Sequence, residues 1–295
     1  MKVLITGSSG MIGAALAESL VANGHEVIRL RRQKLTDDSP MWDPENGVID
    51  LADVRDINAV VHLAGENVAK GRWNSQKKGR ILHSRVMGTK LLADYFSAAD
   101  YKPNIFVSAS AIGVYGNRGD ELVDETSEPG SGFMADVCKQ WEAATASASD
   151  AGIRVAHARI GVVLSTRGGA LKTMLLPFKL GLGGVIGAGK QYMSWVSLDD
   201  VVGMIQFLIA HNSLQGPVNL VAPNPVSNRE FTKTLGRALH RPTIFSLPAF
   251  VARMAFGEMA DELLLASTRV LPKKLIDSGY QFLNPELEEA FEQML

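Results

Sequence analysis

A chain of 295 residues with 46% hydrophobic and 21% charged side chains has the composition of an ordinary soluble globule, long enough for one large domain or for one domain with a smaller partner. Thirty Lys and Arg against thirty-one Asp and Glu leave a net charge of -1, which excludes a global field that would recruit nucleic acid or an anionic membrane. Cys138, the only cysteine, excludes an internal disulfide and a cysteine-cluster metal site, so no metal is expected. With no signal peptide ahead of the first strand and no apolar run of about 18 residues, the expected setting is the cytoplasm.

The first element is the most informative. Residues 2–13 read as an apolar strand followed by Gly7, Gly10 and Gly13 at three-residue spacing and then a helix, the order that builds a pyrophosphate site. Gly7 lets the chain turn tightly, Gly10 keeps a Cβ away from the approaching phosphate, and Gly13 lets the helix pack close to the sheet. Around the anion stand the backbone N–H groups of Ser9, Met11 and Ile12, at the positive end of the helix dipole.

Further strands are predicted over 26–30, 59–63, 105–108 and 154–159, separated by helices over 11–23, 75–99 and 135–151. In the long middle helix Ile81, Leu82, Val86, Leu91, Leu92, Tyr95 and Phe96 keep one side apolar, as a helix covering a sheet requires. The alternation implies right-handed βαβ units and a parallel, doubly wound α/β sheet of Rossmann type. After residue 166 glycine pairs and the Ala222-Pro-Asn-Pro225 segment change the character of the chain. The expected organisation is a dinucleotide-binding domain over 1–166, completed by about 192–222, and a smaller C-terminal substrate lobe over 167–191 and 223–295.

Several segments, taken together, resemble a known family. Gly7-x-x-Gly10-x-x-Gly13, Val60-Val-His-Leu-Ala-Gly65, Gly88-Thr89-x-Leu-Leu92, Val107-Ser-Ala-Ser-Ala111 with Tyr115-Gly116, and Ser194-Trp-Val-Ser-Leu-Asp-Asp-Val-Val202 follow the order found in extended short-chain dehydrogenase/reductases of the nucleoside-diphosphate-sugar epimerase type. His62-Leu-Ala-Gly-Glu-Asn67 with Arg72-Trp73, Ser84-Arg85, Pro225-Val-Ser-Asn-Arg-Glu-Phe231 and Leu271-Pro-Lys-Lys-Leu275 are similar to its atypical branch, the epimerase family proteins, which carry a short C-terminal domain of unknown function.

The resemblance implies a chemistry. Such enzymes use a serine or threonine at the end of a strand and a Tyr-x-x-x-Lys pair on the next helix: the phenol moves the alcohol proton, the lysine lowers its pKa and binds the nicotinamide ribose, and the serine holds the reacting oxygen. Ser110 matches the serine and Lys139 the lysine, but Ala135 stands where the tyrosine belongs. Tyr115, in the loop after Ser110, is the candidate replacement, set against its packing as an aromatic turn residue. Glu66 and Asn67 follow the 59–63 strand at the ligand side of the sheet, set against a solvated loop or helix cap, and Arg85 replaces an asparagine usual in the family, either as a solvated helix arginine or facing a carboxylate or phosphate. Trp73 and Trp195, with Trp42, are candidates to line a ligand cavity, against core packing. Cys138 reads as an inert helix residue, and Asp199 and Asp200 as caps of the following helix.

The cofactor type is read after the second strand. An NAD site places a carboxylate there, whereas Val27-Ile-Arg-Leu-Arg-Arg32 offers Arg31 and Arg32, which favour NADP(H) over a reading of the two as surface charges. By the resemblance Asp53, with Val54, flanks the adenine and Leu63, Ala64 and Gly65 line the dinucleotide. Two functions stay open: an NADP-dependent oxidoreductase or epimerase acting on a small polar substrate with an unconventional proton donor, or a catalytically silent NADP(H)-binding regulator. The expected partner is a small molecule, with no nucleic acid and no membrane, and a homodimer is left open.

Overall fold

A computed structural model describes residues 1–32, 36, 39–51 and 54–295 of the chain. Its centre is a six-stranded parallel sheet of β1 (Lys2–Thr6), β2 (Glu26–Leu30), β3 (Ala59–His62), β4 (Ile105–Ala111), β5 (Arg154–Ile160) and β6 (Gly216–Leu220), in the spatial order β6-β5-β4-β3-β1-β2. The α/β Rossmann-type architecture read from the sequence is thus the one formed.

Both faces of the sheet are covered, which is why its central strands β1 and β3 are nearly continuous apolar runs rather than alternating ones. In β1 the two-residue side-chain period divides Val3 and Ile5 from Leu4. Val3 and Ile5 join a core with Leu16, Ala17 and Leu20 of α1 (Met11–Ala22) and Val201, Ile205 and Leu208 of a second helix, Leu198–Ala210. Leu4 faces the opposite layer, with Trp42, Val60 and Phe106 and with Leu92, Ala93 and Phe96 of α2 (Ser75–Ala98). Asn74 caps α2 by accepting from the Lys77 N–H.

The predicted 135–151 helix is two pieces, α3 (Phe133–Ala143) and a short turn of helix, Ala146–Asp150. A third core gathers Leu171, Phe178, Trp195, Phe231, Leu235 and Phe291 from the C-terminal half. That half is fastened to the sheet through Asp200, which is 1% exposed and accepts from the Ser197 hydroxyl (2.8 Å), the Leu283 N–H (2.8 Å), the Asn284 N–H (2.9 Å) and the Tyr280 hydroxyl (3.2 Å). Asp200 therefore does more than stand in the first turn, where Ser197 is the N-cap. Among the described residues no helix is long and apolar enough to cross a membrane.

Candidate functional site

The chain leaves β1 for β2 through α1 and then crosses back to β3 on the other side of β1. The strand order reverses there, so the crevice at the carboxyl ends of β1 and β3 is the ligand position of such a sheet. Gly7 has a φ of +69°, and a Cβ on it would lie 2.7 Å from the Leu63 carbonyl carbon. A Cβ on Gly13 would lie 2.3 Å from the Gly7 oxygen. Both glycines are therefore demanded by the fold itself. Gly10 is different: it is exposed, caps α1 without a side-chain hydrogen bond, and a Cβ there would meet only the Gly7 oxygen at 3.2 Å. The N–H groups of Met11, Ile12 and Gly13 lie in the first turn, where no intrahelical acceptor exists. Exposed Ser9 and Gly10 at the mouth and three free donors behind them form a cradle that fits a phosphate.

On the β2 side the Arg31 and Arg32 side chains are exposed, and the Arg31 oxygen accepts from the Trp42 N–H at 2.9 Å. Asp53 lies outside the described residues. Leu63, Ala64 and Gly65 run past Gly7 at the end of β3. An open cavity of about 740 Å³ continues from Arg32 to Trp42, Glu66, Arg80 and His83. Glu66 accepts from the Lys77 ammonium at 2.6 Å, and this bond, with the charges of Lys77, Arg80 and Arg32, holds its carboxyl below the usual range. Asn67 closes a turn on the Ala69 N–H, and its carbonyl accepts from Lys77.

The reacting end would lie at the end of β4. Ser110 is 3% exposed and its hydroxyl donates to Glu142 on α3 at 2.7 Å. Glu142 is gripped by Arg159 of β5 through two bonds of 2.8 and 2.9 Å. Burial alone would raise the Glu142 carboxyl, but the bonds and charge of Arg159 and the bond from Ser110 outweigh it and leave it below the usual range. Cys138, one turn before Glu142, lies against Ser110 and Ala111, and burial pushes its thiol up to about 11. A further turn back Met134 packs against Gly113, just beyond β4. The α3 stripe turned to this end of the sheet is thus Met134, Cys138 and Glu142.

Two sequence assignments are corrected, one by this rotation of α3 and one by burial. Lys139 is on the outer face, 43% exposed and paired with Asp136 at 2.7 Å, rather than beside Ser110. Tyr115 is fully buried in a 3-10 turn, where its hydroxyl donates to Asn219 at 2.8 Å and accepts from Arg159 at 3.0 Å. It is packed as a turn aromatic and is not a proton donor facing a ligand. Burial also raises its pKa, against the opposing pull of Arg159.

Of the three tryptophans Trp42 borders the cavity beside Arg32, and the other two are corrected. Trp195 is 0% exposed, with its indole N–H on the Asn224 carbonyl, and belongs to the C-terminal core. Trp73 is buried edge-on against Phe133, donating to the Val68 carbonyl. Arg85 is buried: its guanidinium donates to the Glu66 and Ile81 carbonyls, lies over the Trp141 ring at 4.9 Å, and keeps Nε without a hydrogen-bond partner among the described residues. Sequence reasoning missed Arg159, Met134 and Lys77. The apolar spacing of Met134, Val137, Cys138 and Trp141 already turned Lys139 outward, and that periodicity was the available signal.

The sequence pattern of the NAD dependent epimerase/dehydratase family matches residues 3–221, and that of a domain of unknown function, DUF1731, matches residues 247–294. An epimerase family protein of Mycobacterium leprae is 46% identical over 98% of this chain and 94% of its own length. Human epimerase family protein SDR39U1, crystallised with NADPH, superposes with a TM-score of 0.92 at 36% identity, covering 100% of this chain and 99% of that one. A nucleoside-diphosphate sugar epimerase of Corynebacterium glutamicum gives a TM-score of 0.83 at 39% identity, over 100% of this chain and 58% of that one.

Proposed function

From the chain's membership of the NAD dependent epimerase/dehydratase family, we propose that it binds NADP(H), with the pyrophosphate at the Gly7–Gly13 loop and the 2'-phosphate beside Arg31 and Arg32, and that it serves as a cofactor-responsive binding protein. The region 1–166 with 192–222 holds the cofactor, and 167–191 with 223–295 forms the lobe that responds to it. The glycine cradle and the two exposed arginines support the cofactor, and so does the NADPH in human SDR39U1.

The observation that carries the binding reading is the direction of the Ser110 proton. Glu142 is an anion locked to Arg159, so the Ser110 hydroxyl donates to it, and its oxygen is left to accept, from the neighbouring Cys138 thiol or from a ligand. NADPH, when bound, supplies a hydride; carbonyl reduction also needs a proton for the developing alkoxide. The stripe Met134, Cys138 and Glu142 carries no phenol: its one protonated group, the Cys138 thiol pushed up to about 11, is fully buried, and the Glu142 carboxylate has no proton to give at neutral pH. Ser110 instead accepts from a hydroxyl or carboxamide N–H. That same polarity favours a second reading, slow alcohol oxidation with NADP+ as the hydride acceptor, in which the substrate hydroxyl proton would pass to Ser110 as the Ser110 proton passes to Glu142.

Calorimetric titration with NADPH and NADH, combined with NADPH absorbance in the presence of carbonyl and sugar-nucleotide compounds, tests the reading. Saturable NADPH binding, about ten-fold tighter than NADH and equalised in Arg31→Ala/Arg32→Ala, is expected without turnover. Rapid turnover that Ser110→Ala abolishes overturns the binding-protein reading.

A further inference from the structure

The phosphate cradle has no charge of its own: residues 6–13 contain no Lys, Arg or His, and the α1 N-terminus supplies only partial positive charge. A cation stands nearby on another segment. The loop after the Val162–Leu164 strand runs onto the first residue of α1, so closely that a Cβ on Gly168 would lie 3.3 Å from the Met11 sulfur and one on Gly169 would lie 3.2 Å from its terminal methyl. Arg167, immediately before this glycine pair, has its N–H fixed on the Ser165 hydroxyl at 3.1 Å, while its guanidinium runs along α1 to Glu18 at 3.4 Å. Glu18 is seven residues beyond Met11, on the same helix face and about 10 Å down the axis.

The Arg167–Glu18 contact is long, single and exposed on both sides, at 68% and 66%. Such pairs are worth little and open readily. Both residues line an open groove of about 710 Å³ beside α1, which leaves the guanidinium room to move. We infer that Arg167 is a clamp for the cofactor pyrophosphate: it leaves Glu18, swings about its fixed backbone to the N-terminus of α1, and neutralises the diphosphate that Met11, Ile12 and Gly13 solvate. Glu18 holds the arginine in its released position and competes with the diphosphate. The inference rests on the NADP(H) reading above, and it gives that reading a physical link, because the clamp belongs to the segment that leads from the sheet into the helix Gly169–Lys179 of the C-terminal half.

The test is calorimetric, with NADPH and NADH as probes on the full chain. Arg167→Ala is expected to weaken both cofactors by the same factor, about ten-fold, because both carry the same diphosphate. This separates Arg167 from Arg31 and Arg32, whose removal weakens NADPH alone. Glu18→Gln removes the competitor and is expected to tighten both cofactors two- to three-fold, an estimate from the value of an exposed pair. A pair serving only the surface moves neither dissociation constant, and unchanged affinities in both variants overturn the clamp. So does an Arg167→Ala effect confined to NADPH. Melting without cofactor shows that each variant folds as the wild type does. Absence of NADPH binding by the wild type would instead refute the cofactor reading, a separate result from wild-type binding that ignores Arg167.

Discussion

Arg159 meets Glu142 with two parallel hydrogen bonds, Nε and one terminal nitrogen each taking one carboxylate oxygen, and both side chains are largely buried. The pair joins β5 to α3 and sets the polarity of Ser110. Breaking such a pair leaves a buried guanidinium without its counter-charge, so Glu142→Ala is expected to cost about 3 kcal/mol at neutral pH. The pH dependence has a definite sign. The folded carboxyl titrates below its ordinary 4.5, so its contribution is complete above that pH and is lost as the pH falls through the lower folded value. Urea unfolding of wild type and Glu142→Gln across acid pH is expected to show a gap that closes below pH 4.5; a gap constant down to strongly acid pH would disprove the linkage.

His62 gives a second acid transition with a different window. Its ring is fully buried between Trp42 and Phe106, Nδ1 meets the Thr6 hydroxyl at 2.6 Å, and Nε2 has no partner among the described residues. Burial, reinforced by Arg85, lowers its pKa from 6.5 to about 3. The unfolded chain therefore binds a proton that the folded chain refuses, and stability falls as the pH drops below 6.5, by about 1.4 kcal/mol per unit until the folded value is reached. His62→Leu is expected to flatten the stability profile between pH 6 and 4 even if it lowers the plateau, an effect read from the slope of unfolding free energy against pH. An equally steep profile in the variant would place the acid sensitivity elsewhere.

The glycine loop separates binding from folding. Gly10→Val puts a branched side chain at the exposed cradle with only the Gly7 oxygen near it, so cofactor stabilisation should vanish while the unliganded melting temperature stays close to wild type. Gly7→Ala and Gly13→Ala push a Cβ into backbone and should lower the melting temperature of the unliganded protein, with several kcal/mol at stake. Thermal melts with and without NADPH distinguish the two classes. NADPH stabilisation of Gly10→Val equal to wild type would move the phosphate site off this loop.

What was legible in the chain was local. The β1 turn and α1 are written within residues 2–13, where each glycine has a geometric reason, and Ser110 is fixed by the strand that ends beside it. The rotation of α3 was legible too, but a spacing match at Lys139 hid it, while the apolar stripe from Met134 to Trp141 decided it. Tyr115 and Asp200 were beyond reach for another reason. The partners of Tyr115 are Arg159 and Asn219, 44 and 104 residues away, and apart from Ser197 those of Asp200 are Tyr280, Leu283 and Asn284, 80 or more residues away, so only the folded topology brings them together.

The register of α3 also decides which substitution would restore a family-type proton relay. Ala135 is 0% exposed, and a tyrosine there must displace filled core; Ala135→Tyr is expected to lower stability by 1 to 3 kcal/mol or more and to gain no activity. The stripe beside Ser110 runs through Met134 and Cys138, one turn apart. Met134→Tyr/Cys138→Lys places a phenol and an ammonium on that stripe; Cys138 is itself 0% exposed and Glu142 is already held by Arg159, so this variant too is expected to melt below wild type, and its activity is read on the folded fraction. An ammonium near the phenol lowers its pKa, and general acid help of this kind is worth about 10²- to 10⁴-fold. The double variant is therefore expected to oxidise NADPH with a simple carbonyl compound well above the wild-type rate, and Met134→Tyr alone to fall between them. The measurement is NADPH absorbance loss for wild type, Ala135→Tyr, Met134→Tyr and the double variant, with melting curves for each. A fast wild type that slows in the folded double variant would mean that Ser110 and Glu142 already carry the proton, and that the protein is an enzyme in its own right.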